Sequence, residues 1–243
     1  MTHLMHINHA VLRGLDKERA VLRFLVLETF TDFETLCFLL QSAKSNTSTL
    51  LKRMVAKGFL IKRTVLLRSR KVNLWGIVDD GALFLGEGDT FLRSFKGLRF
   101  SPNILDQKLL LQRTSIAFSH LSWATFHQSN HDSDFRKRYS LNHYPDALVT
   151  SKNNDEILAI EVESRLKSPV RYRVIIKEHI LAKRQGFWSH VVFVVRDLEY
   201  KKMLRHRFNH IDYIPFDESR QPFHCHESII SIFTIEEMSS FTS

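Results

Sequence analysis

Along the first part of the chain, apolar side chains fall at helical spacing. Val21, Leu22, Leu25, Val26 and Phe30 line one helical face, and Asp16-Lys-Glu-Arg ahead of them reads as an N-cap with acids in the first turn. Residues Met1 to Gly14, with His3, His6 and His9, read as a polar N-terminal tail before it. A short helix is predicted from Phe33 to Leu40, then a polar break over Ser42 to Ser48. The third helix runs from about Ser45 to Lys57, with Leu50, Leu51, Met54 and Val55 inward, and Gly58 ends it as a C′ residue. The pattern then switches to strands, Phe59 to Leu66 and Val72 to Val78, joined by the turn Arg68-Ser-Arg-Lys71. Three helices closed by a basic-tipped hairpin predict a winged helix-turn-helix over residues 1–100.

Residues Gly86 to Asn103 hold three of the chain's eight glycines and Pro102, and read as a linker zone. Beyond it a long amphipathic helix is predicted from about Ile104 to His127, followed by the segment Phe135 to Tyr139. Two short strands come next, then a helix from Val170 to Arg184 with Val174, Ile175, Ile180 and Leu181 inward. Val191-Val-Phe-Val-Val195 has the unbroken β-branched character of a buried strand. Asp197 caps a further helix to about Phe208, Ile211 to Pro215 offers a strand, and Ser228 to Phe233 another. Strands alternating with helices imply an α/β fold with a mixed sheet for a second domain, residues 101–243.

Charge sharpens the first half of this picture. Of the 243 residues, 44% are hydrophobic and 25% charged, ordinary for a globular protein, but the net charge is +9. Between Glu34 and Asp79 there is no acid, while nine cations occur: Lys44, Lys52, Arg53, Lys57, Lys62, Arg63, Arg68, Arg70 and Lys71. Such a patch suits a polyanion, most economically double-stranded DNA. Lys52, Arg53 and Lys57 belong to the expected recognition helix, and Arg68, Arg70 and Lys71 to the wing. A winged helix used for protein contacts, its charges merely solvated, is the plainer alternative. The two cysteines, Cys37 and Cys225, imply neither a disulfide framework nor a cysteine-based zinc module. With no membrane-length apolar run and no signal-peptide core, a cytoplasmic protein without membrane insertion is expected.

The second half carries the chemistry. Tyr144-Pro-Asp-Ala-Leu-Val-Thr150 and Ile157-Leu-Ala-Ile-Glu-Val-Glu163 are two β-rich runs separated by a polar turn. Residues two apart on a strand share a face, so Glu161 and Glu163 point the same way. Paired as a hairpin, the runs bring Asp146 near both. Three converging carboxylates repel unless a cation neutralises them, which suggests a divalent-metal site; a solvated hairpin end with scattered acids is the bland reading. His224-Cys-His226 also presents two candidate ligands, although a strand end can carry two histidines without chemistry.

A helix, Pro-Asp on one strand, Glu-x-Glu on the next, then a helix resembles the core of PD-(D/E)XK, restriction-endonuclease-like nucleases. With the winged helix in front, nearly the whole chain is similar to the replication-relaxation group, and within it to the MOBC-type plasmid mobilisation relaxases. The resemblance implies a metal-dependent single-strand nick at a plasmid transfer origin that starts conjugative transfer. It implies double-stranded origin DNA, single-stranded DNA at the nick and a conjugative coupling protein as partners. Asp146 and Glu161 would hold Mg²⁺ or Mn²⁺, and Glu163 would be a third ligand or the base for a metal-bound water. Glu163 stands where the family motif has lysine; Lys177 on the following helix would supply the cation. His120 and Tyr144 are further candidates, Tyr144 as a nucleophile in place of water. The departure at Glu163 keeps open a non-catalytic winged-helix regulator of replication or transcription with a degenerate nuclease-like half.

Overall fold

The structure is a computed structural model and describes residues 2–67, 70–85, 95, 101–121, 125–128, 133–139, 141–151, 156–217 and 219–239, with backbone alone at 2–10, 67, 125 and 133. The chain is a mixed α/β protein that divides into two compact units, Met1–Leu105 and Asp106–Ser243.

The first unit begins with α1 (Thr2–Glu28), so Asp16 lies inside a continuous helix rather than capping one. The apolar face Val21, Leu22 and Leu25 is buried as its spacing predicts, but helical hydrogen bonding extends through the stretch read as a tail. Next comes β1 (Phe30–Asp32), too short for any periodicity to announce it. Asp32 then caps α2 (Phe33–Leu40), its side chain accepting the Thr35 amide at 2.9 Å. The third helix, α3 (Lys44–Ala56), buries Thr47, Leu50, Leu51 and Met54, while Val55 is exposed. Gly58 follows at φ 75°, the left-handed conformation expected just past a helix end. Strands β2 (Leu60–Leu67) and β3 (Arg70–Ile77) pair antiparallel from Leu60↔Ile77 to Leu67↔Arg70. β1 pairs with β3, giving the order β1-β3-β2. Helix, strand, two helices and a hairpin on one small sheet form a winged-helix arrangement, closed over Leu22, Leu25, Leu36, Leu51, Met54 and Ile77. A short α4 (Asp79–Leu83) follows; the expected linker falls mostly outside the described residues.

The long helix expected to reach His127 stops earlier. α5 (Pro102–His120) is followed by β4 (Thr125–Gln128), which pairs antiparallel with β5 (Ala147–Thr150) beyond the short α6 (Ser133–Arg138). Residues 125–127, read as the end of that helix, are strand because β5 supplies them with a partner. β5 pairs antiparallel with β6 (Ile157–Glu163), as the two acidic runs predict, with Ala147 opposite Ile160. α7 (Pro169–Arg184) returns the chain so that β7 (His190–Val195) lies parallel to β6. After α8 (Leu198–Asn209), β8 (Tyr213–Pro215) and β9 (Arg220–Pro222) form a separate ribbon. A 3₁₀ turn (Phe223–Ile229) carries His224 and His226, so neither is at a strand end. The chain then enters β10 (Ile230–Thr234), parallel to β7, and the short α9 (Ile235–Ser239). The five-stranded mixed sheet has the order β10-β7-β6-β5-β4. Tyr172 and Ile175 of α7 pack with Phe193 of β7 and with Leu204 and Phe208 of α8 in its main core.

Candidate nucleic-acid interface and a buried carboxylate-histidine centre

With Thr47, Leu50, Leu51 and Met54 inward, α3 turns Ser45, Thr49, Lys52 and Ala56 outward, at i, i+4, i+7 and i+11. Short side chains around Lys52 leave this face of α3 low and open to solvent. On the hairpin, Lys62, Arg63, Arg70 and Lys71 are exposed; Lys62 lies 5.3 Å from the Trp75 ring centroid. Arg68 lies outside the described residues. Two of the candidate contact residues carry a structural duty. Glu18 of α1 is fully buried, and its oxygens accept from Arg53 Nε at 2.8 Å and Lys57 Nζ at 2.9 Å. Arg53 and Lys57 therefore tie the end of α3 to α1 while remaining partly exposed, and Lys52 is exposed beside them. Lys44 pairs with Glu34 at 2.9 Å on the surface.

In the second unit, strand alternation puts Glu161 and Glu163 on one face of β6, beneath α7, and both are buried. Burial makes both carboxylates resist charge, and their neighbours separate them. Glu161 Oε1 receives His143 Nε2 at 2.7 Å and His179 Nε2 at 3.0 Å. Burial opposes its ionisation, but the two imidazoles outweigh it and hold its pKa down at about 2. Glu163 is pushed up to about 7 by burial, against the pull of Lys167, which donates to its Oε1. Among the described residues, its Oε2 is buried without a hydrogen-bond partner. Asp146 stands just before β5. Its Oδ2 accepts the Val162 amide at 2.8 Å and Gln107 Nε2 of α5 at 3.1 Å. Burial first, and the charge of Glu161 second, raise it to about 7.

The three carboxylates thus sit near enough to feel one another, yet each has its own partners. Among the described residues, the group whose donor atoms all lie within 4.8 Å of one another is His143, Glu161 and His179, without Asp146 or Glu163. The expected oxygen-only set of Asp146, Glu161 and Glu163 shares Glu161 with this group. Neither histidine was singled out in the sequence. His179 lies in the buried stripe Tyr172, Ile175, Ile176, His179, and a polar residue inside such a stripe was the available signal. His143 is placed by the loop before Pro145, which local patterning does not reach.

The remaining candidates lie elsewhere. Lys177 bonds Asp217 at 2.8 Å; two residues from His179, it is turned about 200° around the helix, so the lysine at the carboxylates is Lys167. Tyr144 donates its hydroxyl to the Arg136 carbonyl at 3.4 Å. His120 is exposed in the last turn of α5, where partial burial lowers its pKa. His226 bonds Gln221 at 2.9 Å.

No family model matches the chain, and no curated protein does. Similar solved structures include Stf76 from the Sulfolobus islandicus plasmid-virus pSSVx. It is 17% identical over 28% of this chain and 92% of that one, with a TM-score of 0.25. Bacillus subtilis PadR, solved in complex with operator DNA, is 16% identical over 50% of this chain and 85% of that one, with a TM-score of 0.27. Among the described residues, no helix is long and apolar enough to cross a membrane.

Proposed function

We propose that this chain is a double-stranded-DNA-binding protein of the winged-helix regulator class, with α3 entering the major groove and the wing following the backbone. What supports the reading is one feature: α3 and the hairpin come from an acid-free segment and present Lys52, Lys62, Arg63, Arg70 and Lys71 to solvent. The test is fluorescence anisotropy of the full-length chain on random-sequence duplex across a salt series, followed by selection from a randomised duplex pool. Binding that weakens steeply with salt, and an enriched motif, are expected. Salt-independent binding, or no enrichment, would reject it.

The second reading is a DNA-nicking enzyme of the mobilisation-relaxase type, acting at a transfer origin with a coupling protein. The gathering of Asp146, just before β5, with Glu161 and Glu163 of β6 favours it, as does the order of strands and helices around them. The residues present do not fit an all-oxygen Mg²⁺ cage: Glu161 is held by two imidazoles, Glu163 by Lys167, and Asp146 by a backbone amide. Supercoiled plasmid carrying a candidate origin, incubated with Mg²⁺ or Mn²⁺ against an EDTA control, separates the readings. Nicking that disappears in Asp146→Ala and Glu161→Ala, with DNA binding retained, supports the enzyme; intact plasmid in every lane leaves the regulator.

A further inference from the structure

We propose that His143, Glu161 and His179 form a binding site for one divalent first-row transition-metal ion, with Zn²⁺ as the reference case. Two imidazole nitrogens and one carboxylate oxygen are a donor set that suits such metals and not Mg²⁺ or Ca²⁺, which take oxygen. Tetrahedral donors about 2.0–2.1 Å from a metal lie roughly 3.3 Å apart. The observed separations of 2.7 and 3.0 Å from Glu161 Oε1 to the two Nε2 atoms would open by roughly 0.6 and 0.3 Å to reach that spacing.

The surroundings are those of a built site. His179 is 1% exposed and flanked by the Trp188 and Phe193 rings at 5.7 and 6.5 Å, an apolar wall that restricts water and orientation. His143 is fixed from behind: the Asn142 amide donates to Glu178 of α7 at 3.3 Å, and its side chain adds bonds at 3.4 Å. Glu178 precedes His179, so one turn of α7 positions both ligands. Both rings present Nε2 to the same oxygen, and the three donor atoms lie within 4.8 Å of one another, so they converge on one point. The His143 side chain is 16% exposed, which gives an ion a way in and leaves coordination positions beyond the three protein ligands. Coordination through Nε2 takes each imidazole as a neutral ligand with its proton on Nδ1.

The test uses full-length protein stripped with EDTA and titrated with Co²⁺, followed by visible absorption, with Zn²⁺ added as competitor. One saturable Co²⁺ per chain, displaced by Zn²⁺ but not by millimolar Mg²⁺, is expected. His143→Ala and His179→Ala should weaken it by about 100-fold or more, while Glu163→Gln leaves it within about tenfold. Circular dichroism checks folding, and His143→Ala decides the matter if the buried His179 variant unfolds. Absence of saturable Co²⁺ binding, displacement by Mg²⁺, or binding that survives His143→Ala yet vanishes in Glu163→Gln overturns the proposal. DNA affinity, measured separately, judges the winged-helix reading whatever the metal result.

Discussion

Asp146 Oδ2 lies 2.8 Å from the amide nitrogen of Val162, so the carboxylate before β5 is fastened to the strand that carries Glu161 and Glu163. This bond helps ionisation, but burial and the Glu161 charge outweigh it and leave Asp146 at about 7. Three carboxylates are therefore held together with only one of them, Glu161, strongly favoured as an anion.

A stability profile follows for the metal-free protein. Asp146 and Glu163 release protons near 3.8 and 4.5 when unfolded but near 7 when folded. The folded state holds the extra protons across that window, so their contribution is present below it and lost as the pH rises toward 7. Glu161 has the opposite sign: its contribution is present above 4.5 and lost as the pH falls toward 2. Asp146→Asn keeps an oxygen for Val162 and Gln107 while removing the charge. Thermal melts in EDTA should show it more stable than wild type at about pH 8, by on the order of 2 kcal/mol, and equal at about pH 4. A variant no more stable at the higher pH would place Asp146 among ordinary ionised carboxylates.

Glu18→Gln should destabilise the winged-helix unit by about 1–3 kcal/mol, because a neutral amide replaces the buried anion that gathers Arg53 and Lys57. The two cations are partly exposed and turn to solvent. DNA affinity at low salt should therefore not fall in protein that remains folded, a result read by melting and anisotropy together.

Lys52→Ala and Lys71→Ala should each weaken DNA binding across all sequences and reduce the slope of log affinity against log salt by about one. Unchanged slopes in both would move the contact surface away from α3 and the wing.

The two lysines near the centre should behave differently. Lys177→Ala removes a pair with the exposed Asp217 and should leave melting, metal uptake and any nicking unchanged. Lys167→Ala strips the cation from buried Glu163 and should cost about 1–3 kcal/mol near pH 8, less in acid where Glu163 is protonated.

Much of this architecture was legible locally. The apolar stripe of α3, the left-handed stop at Gly58, the Asp197 cap and the unbroken run of β7 each depend on neighbours a few residues away. Pairings with partners distant in sequence were not legible. β1 exists because β3 pairs with it, and the 116–121 region belongs to a helix that ends before a strand supplied with a partner by β5. Lys177 was in view as a cation near the acids, but the helix rotation that sends it to Asp217 is set by how α7 packs on the sheet.

The sequence by itself determined that two acidic strands would pair, that Glu161 and Glu163 would share a face, and that an acid-free basic segment would form a helix and a hairpin. Side-chain alternation and helical period suffice for that, since both are properties of the local backbone. Only the tertiary structure decided that Glu161 would be shared by His143 and His179, 18 residues away on either side, and that Arg53 and Lys57 would serve Glu18. Those pairings arise from packing α7 over β6 and α3 against α1, and the burial that such packing imposes is what gives each carboxylate its own proton affinity.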